Sequence, residues 1–138
     1  MKHVLAKGKA LSNFAKKSSN AMTSLKKGCA EKNMKYTTIK NPNETRWNSK
    51  HTNLTSIIKL KPALLHLANT DTTGIWTGKL FTPSEWKLAE GAVKVLELPM
   101  YVTKVWEAEK TPTMNMVVSE LYSMRSQLEN FVAESSCR

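Results

Sequence analysis

The stretch Phe81-Thr-Pro-Ser-Glu-Trp86 contains the clearest fold signal in this sequence of 138 residues. Thr82 is a favoured N-cap, Pro83 suits the first helical position, and Glu85 completes a Thr-x-x-Glu capping box. Phe81 and Trp86 flank the box at the spacing of a hydrophobic staple. The stretch therefore predicts a helix that begins at residue 83, and Pro99 is expected to bend it near its middle.

Apolar residues at helical spacing predict further helices on both sides of this start. Residues 2–33 indicate one lysine-studded helix, and residues 44–68 a second one that Pro62 kinks or restarts. A last helix follows Thr111-Pro112 and carries a predicted core stripe at steps of four and three. That stripe consists of Val117, Leu121, Met124, Leu128 and Phe131.

The remaining segments indicate turns, a loop and at most one short strand. Residues 36–39 have the composition of a strand but no partner strand in this sequence, so their sheet would lie outside it. Asn41-Pro42-Asn43 is a turn signal, and residues 69–80 indicate a polar loop around Trp76. The predicted fold class is all-α, an irregular array of four to five helices with at most one short strand at 36–39.

The charge of the chain is concentrated in its first third. The sequence has 21 basic and 11 acidic residues and a net charge of +10. Residues 1–50 hold 12 of the basic residues and two of the acidic ones, so this segment carries the whole excess. Such a block indicates either contact with a polyanion or a solvated face that only aids solubility. An apolar stripe at helical spacing within 2–33 consists of Leu11, Phe14, Ser18, Ala21, Leu25 and Cys29. The lysines that fall largely off this stripe are the candidate phosphate contacts: Lys9, Lys16, Lys17, Lys26 and Lys27.

Residue patterns for catalysis are missing from the sequence. It has no glycine-rich phosphate loop and no recognisable set of nucleophile, base and acid, and His66 is expected to be a histidine on the surface of a helix or at the boundary of the core. Cys29 and Cys137 are expected to be free thiols. No apolar run approaches the length of a membrane span. We expect a chain that is not an enzyme, binds no cofactor, metal or small-molecule substrate, and does not enter a membrane.

The segment Glu44-Thr-Arg-Trp-Asn-Ser49 joins the turn to a helix start. Arg46 offers a guanidinium for phosphate, and Trp47 offers a flat ring on which an unpaired base can stack. In the alternative interpretation, Trp47 packs under the first basic helix and Arg46 pairs with Glu44. Residue chemistry alone leaves both interpretations open.

Four blocks in this order resemble the hAT transposase superfamily, and most closely the animal zinc finger BED domain-containing proteins derived from it. They span roughly residues 40–130. The blocks are Thr45-Arg-Trp-Asn-Ser49, Phe81-Thr-Pro-Ser-Glu-Trp86, Val93-Lys-Val-Leu-Glu-Leu-Pro99 and Glu109-Lys-Thr-Pro-Thr-Met-Asn-Met-Val-Val118.

The resemblance implies a place for this chain in a larger protein. Such transposases have a ribonuclease-H-like core interrupted by a helical insertion domain, often with a BED zinc finger and a C-terminal dimerisation region. Their catalysis uses three acidic residues and divalent metal, and these have no counterpart here. The resemblance thus implies a basic helical leading segment at 1–40 and an insertion-domain fragment at 41–138.

Functional expectations follow from the same resemblance. Trp47 corresponds to the family tryptophan that stacks on a flipped base, with Arg46 and Asn48 beside it. The expected function is DNA binding in the nucleus without a catalytic triad, and self-association is expected through a C-terminal region outside this chain. The alternative is a non-catalytic helical module of a domesticated transposase that binds other proteins.

Overall fold

The computed structural model describes residues 1–42, 47–108 and 114–136. These residues form six α-helices and contain no strand, which confirms the predicted all-α class. The helices are α1 (Lys2–Lys17), α2 (Ser19–Glu31), α3 (Trp47–Lys59), α4 (Lys61–Thr70), α5 (Pro83–Ala108) and α6 (Met114–Ser136). The count exceeds the predicted four to five because the helices predicted at 2–33 and 44–68 each divide in two.

Ser18 divides the helix predicted for residues 2–33. Its backbone is extended, with φ −101° and ψ 111°, and its hydroxyl accepts the Ala21 N–H at 3.3 Å as the N-cap of α2. A serine side chain that bonds nearby backbone competes with continued helix. The single helix predicted at 2–33 is therefore wrong: the serine assigned to its apolar stripe ends one helix and starts another.

Pro62 restarts the second predicted helix, as expected. α3 ends at Lys59, and Pro62 lies in the first turn of α4, where its missing N–H costs no helical hydrogen bond. α4 ends at Thr70, and Asp71 is its C-cap. The Asp71 carboxylate accepts the backbone N–H groups of Thr73 and Trp76 at 3.0 and 2.9 Å. The Thr73 hydroxyl also donates to this carboxylate. This bond, followed by the one from the Trp76 N–H, lowers the pKa of Asp71. These bonds also turn the following loop so that Trp76 is buried, with 1% of its surface exposed.

The predicted start of α5 is confirmed in detail. The Thr82 N–H donates to Glu85 Oε2 at 2.8 Å, and the Glu85 N–H donates to Thr82 Oγ1 at 3.3 Å. The Phe81 and Trp86 rings meet edge to face with centroids 5.0 Å apart, as a hydrophobic staple requires. α5 continues through Pro99 to Ala108.

Residues 36–39 do not form a strand. The segment belongs to no helix, and its Ile39 side chain is buried. Next to it, the Lys40 N–H donates to Ser56 Oγ at 3.1 Å, and Asn53 Nδ2 donates to the Lys40 carbonyl at 2.6 Å. Side chains of α3 thus satisfy both backbone groups of Lys40, the residue that follows this segment.

One core joins the described helices α1 to α5. Its buried residues come from both sides of residue 40, including Leu11 and Leu25 before it and Leu54, Leu64 and Leu96 after it. α6 packs only against α5 and contributes no residue to this core. The core stripe predicted on α6 is therefore wrong: Leu121 is 44% exposed, and Val117, Met124, Leu128 and Phe131 are only partly buried. No described helix is both long and apolar enough to span a membrane.

Candidate nucleic-acid interface

Trp47, the first residue of α3, presents its indole to solvent. The residue is 58% exposed, whereas Trp76 and Trp86 are buried in the core. The Lys50 ammonium lies 5.2 Å from the Trp47 ring centroid, within cation–π range. The interpretation in which Trp47 packs under the first basic helix does not hold. Arg46 and Glu44, with their predicted roles, lie outside the described residues.

An open cleft of about 730 Å³ adjoins the Trp47 ring. Its described lining combines one lysine, one carboxylate and several amide and hydroxyl groups: Lys40, Asn41, Trp47, Asn48, Ser49, Thr52, Thr103 and Glu107. Lysine can bind a phosphate, a carboxylate can accept hydrogen bonds from base amino groups, and the indole can stack on a base. The lining therefore combines a cation, hydrogen-bonding groups and a stacking surface.

Asn48 lies in the wall of this cleft beside Trp47. Its side-chain Oδ1 is buried and has no hydrogen-bond partner among the described residues. A buried amide oxygen without a partner is costly. Asn48 Oδ1 is therefore a candidate to accept a hydrogen bond from a group that is not among the described residues.

Three of the candidate lysines share a face of α1 that reaches the same cleft. Lys9 lies four positions before Asn13, and Lys16 and Lys17 lie three and four positions after it. Residues at these spacings share one face of a helix. Asn13 Oδ1 accepts a hydrogen bond from Asn41 Nδ2 at 2.9 Å, and Asn41 lines the cleft. Lys16 and Lys17 are exposed and Lys9 is half-buried. This α1 face thus adjoins the Trp47 cleft.

The two candidate lysines of α2 point to different places. The Lys26 ammonium lies 5.5 Å from the ring centroid of Tyr36, the first residue of the segment 36–39 that precedes Lys40. Lys27 lines a separate cleft next to the pair formed by His66 Nε2 and Glu31 Oε2 at 2.6 Å. The structure therefore places Lys9, Lys16 and Lys17 on the α1 face whose Asn13 bonds Asn41 of the cleft, and Lys27 at a separate cleft.

Ion pairs hold other lysines within the fold. Lys7 Nζ lies 2.7 Å from Glu85 Oε2, and Lys61 Nζ lies 2.7 Å from Glu90 Oε1. The Lys7 bond, followed by the Thr82 N–H, lowers the pKa of Glu85 to about 2. These lysines tie helices together, so the net charge overstates the number of cations available to a polyanion.

Sequence reasoning missed Lys50 beside Trp47 and several residues of the cleft. Lys50 follows Trp47 by three positions, a helical spacing that could have revealed it. Lys40 is placed by its backbone bonds to Asn53 and Ser56, and Thr103 and Glu107 come from α5. Contacts across more than 50 residues leave no local signal in the sequence.

Metal ligands do not converge in the described residues: no group of three or more His, Cys, Asp or Glu side chains there could hold a metal ion. Comparison of the chain with protein-family models, curated proteins and solved structures finds no match.

Proposed function

We propose that this chain binds DNA as a non-catalytic, nuclear fragment of an hAT-like transposase-derived protein. The observation that carries the proposal is the exposed Trp47 ring at the edge of a polar cleft, next to a lysine-bearing face of α1. No other described tryptophan is exposed.

Phosphates and an unpaired base would bind to different parts of this surface. Lys16 and Lys17 on α1, together with Lys40 at the cleft, offer charges along which a nucleic-acid backbone can lie. Phosphate contacts supply affinity and position but carry no sequence preference.

Trp47 would supply the preference for unpaired or distorted DNA. A base stacked on an aromatic side chain contributes about 1–3 kcal/mol, and every base has a face that can stack. Glu107 and Asn48 lie in the same cleft, where they can hydrogen-bond the edge of a base held on the ring.

The first test is a salt series of DNA binding by the full chain, on a hairpin with unpaired bases and on a plain duplex. With about six phosphate contacts, affinity should fall about a thousandfold between 50 and 200 mM salt. Trp47→Ala should weaken hairpin binding about 5- to 150-fold, the equivalent of one stacked base, and Trp47→Phe should restore part of it. Equal losses on hairpin and duplex would refute the stacking role.

A matched pair of lysine variants locates the phosphate path. Lys16→Gln/Lys17→Gln should weaken binding to both substrates and reduce the salt slope by about two. The control is Lys27→Gln/Lys87→Gln, which removes the same charge from outside this surface: Lys27 lines the other cleft, and Lys87 is 16 residues along α5 from Thr103. If the control variant lost as much affinity, net charge rather than this surface would drive binding.

A further inference from the structure

α6 exposes apolar side chains to a degree seen in no other described helix. Of its described side chains, from 116 to 133, none is buried. Its large exposed apolar residues are Met116, Val118, Leu121, Tyr122 and Val132. Contiguous apolar surface of this kind marks an interaction site more often than chance exposure does.

Most of these residues share one face of the helix. At 3.6 residues per turn, seven side chains fall within about 60° of a single line along α6. They are Val118, Leu121, Tyr122, Arg125, Glu129, Val132 and Ala133. Gln127 and Phe131 lie on the opposite side, where they border α5 together with Val95 and Leu98. The seven residues, called the outer face of α6 below, thus point away from the rest of the fold.

The outer face is complementary to itself when a second copy runs antiparallel to it. With Gln127 as the midpoint, Leu121 lies opposite Ala133 of the second copy, and Tyr122 lies opposite its Val132. At the centre, Arg125 lies opposite Glu129 of the second copy, and the reverse pair repeats by symmetry. Leu121, Tyr122, Val132 and Ala133 thus each meet an apolar side chain, and both charges meet their opposites, whereas Val118 has no counterpart within the outer face.

Two other arrangements lack this match. A parallel pair would place Arg125 against Arg125 and Glu129 against Glu129. An antiparallel pair shifted to a midpoint at Arg125 would place Leu121 against Glu129. Within one chain, Arg125 Nε and Glu129 Oε1 already lie 2.8 Å apart, and both side chains are mostly exposed, so they remain available to a second copy.

From this match we infer that the outer face of α6 binds the same face of a second copy of this chain, antiparallel and centred on Gln127. The pairing is independent of DNA binding, because no residue of the outer face lines the Trp47 cleft. One helix face buries about 1,000 Å² or less in total, below the size of most stable interfaces, so a weak, concentration-dependent dimer is expected.

The test is sedimentation equilibrium of the full chain over a concentration series. The average mass should rise from 15.5 kDa toward twice that value. Arg125→Glu and Glu129→Arg should each weaken self-association at least tenfold, because each places like charges opposite one another. An equimolar mixture of these two variants should associate again, since each then meets opposite charges. The double variant Arg125→Glu/Glu129→Arg should also associate.

Two controls keep the result specific. Ser123→Glu places a charge on α6 outside the outer face and should leave self-association unchanged. Tyr122→Ser removes an apolar contact at a residue that is 68% exposed, so it should weaken association without loss of helicity by circular dichroism. A wild-type chain that stays monomeric, or a variant mixture that does not associate, overturns the inference.

Discussion

At the scale of single residues, Gly8 shows how a tertiary contact determines which residue fits at a position in a helix. Sequence rules describe it only as a weak point in the first helix. In the structure, a Cβ at Gly8 would lie 2.8 Å from Asn53 Oδ1 and 3.3 Å from Leu54 Cδ2. The missing side chain lets α1 approach α3 closely, at the point where Asn53 holds the Lys40 carbonyl.

We therefore expect Gly8→Ala to destabilise the fold. Alanine gains about 1 kcal/mol of helix propensity, but the buried Asn53 side chain cannot yield without loss of its bond to Lys40. A net loss of about 1–3 kcal/mol in the free energy of unfolding is expected, as for other overpacked sites. Urea denaturation measures it.

Gly91 on α5 supplies the control for this prediction. A Cβ there meets nothing within 4 Å, so Gly91→Ala should stabilise the chain by up to about 1 kcal/mol through helix propensity alone. If both variants were stabilising, the contact between α1 and α3 would be looser than the structure indicates.

At the scale of helices, the starts of α4 and α5 could be predicted because the residues that signal each start lie within a few positions of it. The capping box at Thr82 and the proline at 62 act on the turn that contains them. The break at Ser18 was missed because serine fits both an apolar stripe of small residues and an N-cap. The stripe on α6 was predicted as part of the core, and that prediction failed because periodicity cannot say what covers an apolar face.

The start of α5 also makes the stability of the fold depend on pH in the acid range. Glu85 bonds to Lys7 of α1 and to the Thr82 N–H, and its pKa is about 2 instead of its ordinary 4.5. Its contribution to stability is therefore complete above about pH 4.5 and is lost as the pH falls through about 2. Glu85→Gln, which can still cap Thr82, should flatten the pH dependence of stability in that window.

Urea denaturation from pH 2.5 to 7 checks this expectation. Glu129→Gln is the control, because its exposed ion pair lies within α6 and joins no two helices. The role assigned to Glu85 would be contradicted if the two variants changed the acid dependence equally.

At the scale of the whole molecule, the basic first third is part of the core rather than an appended arm. The resemblance implied a basic leading segment at 1–40, and within it α1 and α2 bury side chains against α3 and α4. Local patterns identified most of the helices. They could not identify the Trp47 cleft, because that cleft is assembled from the 40–41 segment, α3 and α5.

This arrangement predicts opposite results for two deletions. Removal of residues 1–33 takes six buried residues from the core, namely Val4, Leu11, Ala15, Ala21, Leu25 and Cys29. Leu54, Ile57 and Leu64 would then face solvent, so we expect no cooperative unfolding transition. Removal of residues 109–138 takes no residue of that core, so the transition should persist with a midpoint within about 5 °C of the full chain. Thermal melting followed by circular dichroism distinguishes the two. A cooperative transition after the first deletion would show that residues 34–138 fold independently, and loss of the transition after the second would show that α6 supports the core through contacts beyond α5.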